Sequence, residues 1–153
     1  MKRIGLVRTL KGTILFLTVM AAFFYIVAFP QRILELGEQL DAGVSWLVTP
    51  GIIAIPIAVA LILFWQICTE IGRDNSFCHK NASRLTGIGF CALVDTGYCA
   101  VGTVTLEIMV GSPIWVTGLM VCTVGLSIAL AAFLLSHLVL KAADMKAEND
   151  LTI

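Results

Sequence analysis

The chain has 153 residues, 59% of them hydrophobic and only 13% charged, and its ten basic and ten acidic side chains cancel. Soluble domains run nearer about half apolar and about a quarter charged, so the balance excludes an ordinary soluble fold and points to the bilayer as solvent. Zero net charge names no partner, and no direct nucleic-acid binding is expected.

Four apolar segments, 12–29, 50–69, 85–110 and 113–140, are long enough to span a hydrocarbon core of ~30 Å, which takes about 20 helical residues. Lys2, Arg3, Arg8 and Lys11 precede the first segment. It reads either as a signal peptide or as a retained anchor. Its bulky end, Phe23-Phe24-Tyr25-Ile26-Val27-Ala28-Phe29, favours the anchor, because signal peptidase requires small residues. Pro30 stops this span, since proline cannot continue the backbone ladder.

Between spans one and two, Ile33, Leu36, Leu40, Val44 and Leu47 recur at intervals of three or four and line one helical face. Trp46 suits the headgroup level. The segment is expected to be a short amphipathic helix on the outer leaflet, with an extracellular lid or receptor surface as the alternative. Thr49-Pro50 and Ser112-Pro113 each read as an N-cap followed by proline at the first helical position. Pro56 lies inside the second span, where a bend is tolerated if neighbours satisfy the freed carbonyl.

Basic residues mark the cytoplasmic side. They collect at the N-terminus, in the polar island 70–89 (Arg73, Lys80, Arg84, with His79 beside them) and in the tail (Lys141, Lys146). The outer segment has only Arg32 against Glu35, Glu38 and Asp41. The expected fold class is therefore an all-α membrane protein. A single domain of four transmembrane helices in a bundle has both termini and the island in the cytoplasm and the amphipathic helix outside.

Within the island, Phe77, Asn81, Ala82, Arg84 and Leu85 form F-x-x-x-N-A-x-R-L, preceded by Glu70-Ile71 and followed by Gly87-Ile88-Gly89. The pattern reads as a turn at Gly72-Arg73-Asp74-Asn75 and then a helix start. Arg84 is expected to snorkel to the interface with its stem along span three. The tail closes on Glu148-Asn149-Asp150-Leu151-Thr152-Ile153. With these two separated motifs in order, the chain resembles the bacterial four-helix membrane proteins known as domain of unknown function 2975. Cys78 stands where that family usually has Ser or Thr, and a thiol is a poorer cap than a hydroxyl, so the cap weakens or moves to Ser76. The resemblance brings no chemistry, but it implies a context. Members are often encoded beside a small helix-turn-helix regulator, which fits a membrane component of a regulatory pair.

Asp95 is the foremost intramembrane candidate, with Tyr98 beside it. A carboxylate near mid-span is costly and by default marks function. No Lys or Arg lies at matching depth, and Thr96, Tyr98 and Thr103 are near in sequence. Asp95 is thus expected to be neutral and hydrogen-bonded, either as a packing residue or coupled to a proton or ligand. Glu107 is expected to reach outer headgroups and His137 the inner interface. Five cysteines show no C-x-x-C pair, and Cys68, Cys78 and His79 lack the paired spacing of a zinc site, so structural thiols, no metal and no cofactor are expected. Small residues at Ala54/Ala58 and Gly125/Ala129 suit close helix packing.

No Walker loop, nucleophile motif or zinc-protease motif appears, so no enzyme is expected. The reading is a multi-pass protein of the bacterial cytoplasmic membrane that acts as a sensor or sequestering partner of a cytosolic transcription regulator. Its interaction face would be Phe77, Asn81, Arg84, Glu148, Asn149 and Asp150, with the tail docked on the island through Glu148 or Asp150 near Arg84 or Lys80. The alternative is a small proton-coupled transporter or export subunit using Asp95, as a homo-oligomer.

Overall fold

The computed structural model describes residues 2–23, 26–27, 48–73, 76–110 and 115–151. Among them are four α-helices: α1 (Lys2–Phe23), α2 (Val48–Gly72), α3 (His79–Val110) and α4 (Trp115–Leu151). Three of these, α2, α3 and α4, contain stretches long and apolar enough to cross a membrane. The rest of the first expected span is described only at residues 26–27, and the expected outer amphipathic segment lies outside the described residues.

A chain in lipid must satisfy every backbone group within itself, which selects helices. Polar side chains in these helices follow the same logic. The hydroxyls of Thr18, Thr69, Thr96, Thr103 and Thr123 each donate to the carbonyl one turn back, on Ile14, Trp65, Ala92, Cys99 and Leu119, at 2.6–3.0 Å. A hydroxyl bonded to its own helix presents little more than a methyl-sized surface to its surroundings. α2 also continues unbroken through Pro56.

The helices are antiparallel to their chain neighbours. Along α1 and α2, Lys11 Nζ lies 4.9 Å from the centre of the Trp65 ring, and a Cβ on Gly72 would stand 3.4 Å from Val7 Cγ1. Between α2 and α3, Leu63 closes on Gly87, where a Cβ would be only 2.9 Å from Leu63 Cδ1. The most extensive packing is of α4 on α3, and α1 packs chiefly on α2. α2 and α3 are thus the inner members of the array, each packed on two others, with α1 and α4 on either side.

The α3–α4 seam is built from small residues. Gly118 receives the Thr103 side chain and Gly125 the Thr96 hydroxyl, each too closely for a Cβ to fit. Cys122 donates a long 3.8 Å bond to the Thr96 carbonyl. Ala129 and Ala132 are buried between the helices' ends, and Phe133 meets Phe90 edge to face at 5.3 Å. Small side chains let two backbones approach closely, which is what drives association where lipid is as apolar as the protein. Gly125 and Ala129 act here as expected, whereas Ala58 is exposed.

Little else is buried. Only 11%, 6% and 17% of the apolar windows of α2, α3 and α4 lie inside the protein. Phe16, Val94, Leu119 and Leu134 all project outward. Such a surface is stable facing hydrocarbon and unstable facing water.

α4 differs from expectation in length. The apolar stretch ends at Leu140, but the helix continues through the charged tail to Leu151. Hydropathy reports where lipid ends, whereas Ala142, Ala143, Met145, Lys146, Ala147 and Glu148 are all residues that favour helix.

Candidate functional site

The island shrinks to a short connection. Arg73 N–H donates to the Glu70 carbonyl at 3.0 Å, closing the turn that ends α2. α3 starts at His79, with the Cys78 carbonyl accepting from the N–H groups of Asn81 and Ala82 at 3.0 and 3.2 Å. Cys78 is therefore the N-cap by its main chain, and the cap does not move to Ser76. Asn81, three residues in, is 1% exposed.

Asn81 organises the connection. Its Nδ2 donates to the Ser76 carbonyl at 3.1 Å, and its Oδ1 accepts from Arg84 Nη1 at 3.0 Å. Turning the amide over would set oxygen against carbonyl and NH2 against guanidinium, so the orientation is determined by its partners. Arg84 in turn lies 3.7 Å from Glu70 Oε1, both side chains being mostly buried. Arg84, expected to lie at the interface, is held there by Asn81 and Glu70 within the protein. The cause is the antiparallel pairing of α2 and α3, which sets a carboxylate at the end of one helix against the guanidinium one turn into the next. Glu70 was visible in sequence as part of the motif, but its partnership with Arg84 was not.

A second polar junction ties α4 to the same turn. Ser136 Oγ donates to the Ala82 carbonyl at 2.7 Å, and Thr86 Oγ1 lies 3.2 Å from that carbonyl and 2.8 Å from Ser136 Oγ. With Ser136 donating to the carbonyl, the Thr86 proton is shared between that carbonyl and Ser136 Oγ. Further out, His79 Nε2 lies 2.9 Å from Asp144 Oδ1, both side chains well exposed. Asp144 occurs only because α4 outruns its apolar stretch. The ends of α2, α3 and α4 and the Val7 end of α1 thus gather at one end of the array.

The sequence-selected residues fall into three groups there. Phe77 projects outward, 54% exposed, beside buried Asn81 and half-buried Arg84. Glu148 and Asn149 are exposed on the last turns of α4, and neither is free of partners. The Asp150 side chain lies outside the described residues. Among the described residues, His79–Asp144 joins the island to an early turn of the tail.

Asp95 and Tyr98 are half-buried on α3, away from this end. The hydrogen-bonded surroundings expected for Asp95 are not formed: its Oδ1 is buried with no hydrogen-bond partner among the described residues. Thr96 and Thr103 spend their protons on their own helix, on the Ala92 and Cys99 carbonyls. Glu107 likewise buries Oε2 with no partner among the described residues, and His137 is exposed. The five cysteines are all free thiols, and no cluster of three or more His, Cys, Asp or Glu is found among the described residues.

Residues 30–153 match the family described as protein of unknown function, DUF2975, and the chain belongs to that family. Over 104 residues it is 30% identical to the uncharacterized membrane protein YoaS of Bacillus subtilis (strain 168), and the match spans 65% of this chain and 65%, just under two thirds, of that protein's length. No solved structure matches. The apolar helices and this relative together make the chain a membrane protein.

Proposed function

We propose that this DUF2975 chain is a non-enzymatic protein of the bacterial cytoplasmic membrane with four spans. Both termini are cytoplasmic, and the island end holds a cytosolic regulator of helix-turn-helix type. The orientation is supported by the basic residues at Arg8, Lys11, Arg73, Lys80, Arg84, Lys141 and Lys146, which belong on the cytoplasmic side. The observation that carries the reading is the order of the island end. A connector has no need of a buried asparagine bonded to both a main-chain carbonyl and a paired arginine, nor of a last helix that reaches back to the turn. Such a braced turn presents Phe77, Lys80, His79 and Asp144 in fixed relation, which is what a partner surface requires.

Co-purification of the full chain from native membranes tests this. A DNA-binding protein is expected to accompany the parent chain and to be lost when 148–153 is deleted or when Phe77→Ser is introduced, with the spans still inserted. Recovery of no soluble partner by the parent chain overturns the reading. Reporters fused after Ile153 and within 75–80 are expected to read cytoplasmic and one at Gly37 external. An external island would exclude a cytosolic partner outright.

A further inference from the structure

Two cysteines face each other across the α3–α4 seam. On α3, Thr96 and Thr103 point at Gly125 and Gly118 of α4. Cys99 follows Thr96 by three residues and precedes Thr103 by four, and Cys122 stands in the same relation to Gly125 and Gly118 on the other helix. Such spacings keep each cysteine on the face of its flanking contacts. Because the helices are antiparallel, both cysteines lie at one level between those contacts. Cys122 Sγ is directed at α3, 3.8 Å from the Thr96 carbonyl, and Cys99 and Cys122 are electrostatic neighbours. Both are free thiols and half-buried, with part of their surface facing out of the protein.

The separation of the helices at this level suits a disulfide, which takes Cβ atoms about 3.5–4.5 Å apart. On one side, a Cβ on Gly125 would stand 3.3 Å from Thr96 Cβ, and on the other a Cβ on Gly118 would stand 2.8 Å from Thr103 Cβ. Two backbones held that closely at both flanks leave cysteines between them within bonding reach. Cys91, the next thiol back along α3, is two turns and about 12 Å from Cys99 along the axis, beyond that reach. We propose that Cys99 and Cys122 form a reversible oxidation site, closing into an inter-helix disulfide that pins α4 to α3.

The oxidant suited to this position is a quinone dissolved in the bilayer. Hydrocarbon penalises charged species such as a free thiolate, and a quinone accepts two hydrogens together with their electrons and leaves no net charge. Two S–H bonds break, one S–S bond forms, and the quinone becomes a hydroquinone. The bond would fix at mid-array the helix pair that also meets through His79 and Asp144 at the island end. The inference rests on the seam alone and does not depend on what the island end holds.

The test reconstitutes the full chain in phospholipid vesicles and treats it with decylubiquinone or, separately, with the membrane-permeant oxidant diamide. Remaining thiols are blocked with N-ethylmaleimide, and digests are read by mass spectrometry. The expected product is a peptide pair joined through Cys99 and Cys122 and separated by dithiothreitol, with Cys68, Cys78 and Cys91 recovered as alkylated thiols. Cys99→Ala should abolish the link and return Cys122 alkylated. Gly125→Val, which spreads the seam, should slow linking roughly tenfold or more, because reaction between held groups is sensitive to displacements of about an ångström. The parent chain alone keeps the inference testable should a variant fail to fold. No link between Cys99 and Cys122 with either oxidant, a link formed as fast in chain unfolded by sodium dodecyl sulfate, or links dominated by the other cysteines would each overturn the site. A link with diamide alone would overturn the quinone step.

Discussion

Asn81 and Asp95 both sink polar atoms into the face that α3 turns toward its neighbours, and the fold treats them oppositely. At the island end, Asn81 gives to the Ser76 carbonyl and receives from Arg84, which itself faces Glu70. At mid-helix, Asp95 buries an oxygen with no donor among the described residues. A buried polar group that is fully bonded specifies one arrangement, whereas one left unbonded costs free energy with no structural return. The difference separates a region whose polarity builds the fold from one whose polarity awaits something else.

Substitution at these two positions should therefore move stability in opposite directions. Asn81→Leu removes at least one neutral and one charge-assisted hydrogen bond and leaves the Ser76 carbonyl and Arg84 short of a partner, a loss of about 3 kcal/mol. For a chain of this size that is roughly 10 °C in thermal melts of the purified protein. A drop of a degree or two would mean that the Arg84–Glu70 pair and the main-chain cap hold the turn unaided.

Gly125→Val is the next largest effect. It drives a branched side chain into the Thr96 hydroxyl across the tightest part of the α3–α4 seam, and overpacking of this kind costs about 2 kcal/mol. The same melts should register it, and they should register it additively with Asn81→Leu, because the two sites share no partner. Strong non-additivity would show that island end and mid-array form one cooperative unit.

Asp95→Leu should go the other way and stabilise by about 1 kcal/mol, since it removes an unpaired buried oxygen and breaks no hydrogen bond. Measured destabilisation would reveal a partner for Asp95 in the folded state and would erase its contrast with Asn81. The smallest change is expected for His79→Ala. Its bond to Asp144 lies between exposed side chains, and exposed ion pairs contribute about 0–1 kcal/mol, less as salt rises. A melt indistinguishable from the parent in high salt, alongside a small loss in low salt, is the expected pattern.

Much of the architecture was legible in the order of residues. Long apolar runs oblige helices in lipid, so α2, α3 and α4 cover the expected spans to within a few residues apart from the earlier start of α3 and the extension of α4. The turn after Gly72 and the start of α3 near Cys78 follow from local capping chemistry, which needs no distant partner. The two motifs around Asn81 and Glu148 carried the family resemblance, and the match over 30–153 bears it out. Asn81 and Arg84 stood out as motif residues, whereas their bond, which their spacing of three on one helix permits, was not expected from the motif.

Only the tertiary structure decided which groups meet across helices. Glu70 with Arg84, Ser136 with the Ala82 carbonyl and His79 with Asp144 all depend on the antiparallel register of neighbouring helices. That register is set by where glycine and alanine allow close approach, at Gly87, Gly118, Gly125 and Ala129. Asp95 shows the limit most plainly. Its nearby threonines looked like partners on the page, but each hydroxyl closes on its own helix one turn back, a bond that is always within reach. Hydropathy, caps and helical spacing act within a few residues of themselves. Whether a buried oxygen finds a donor is settled by atoms that the linear chain places far away.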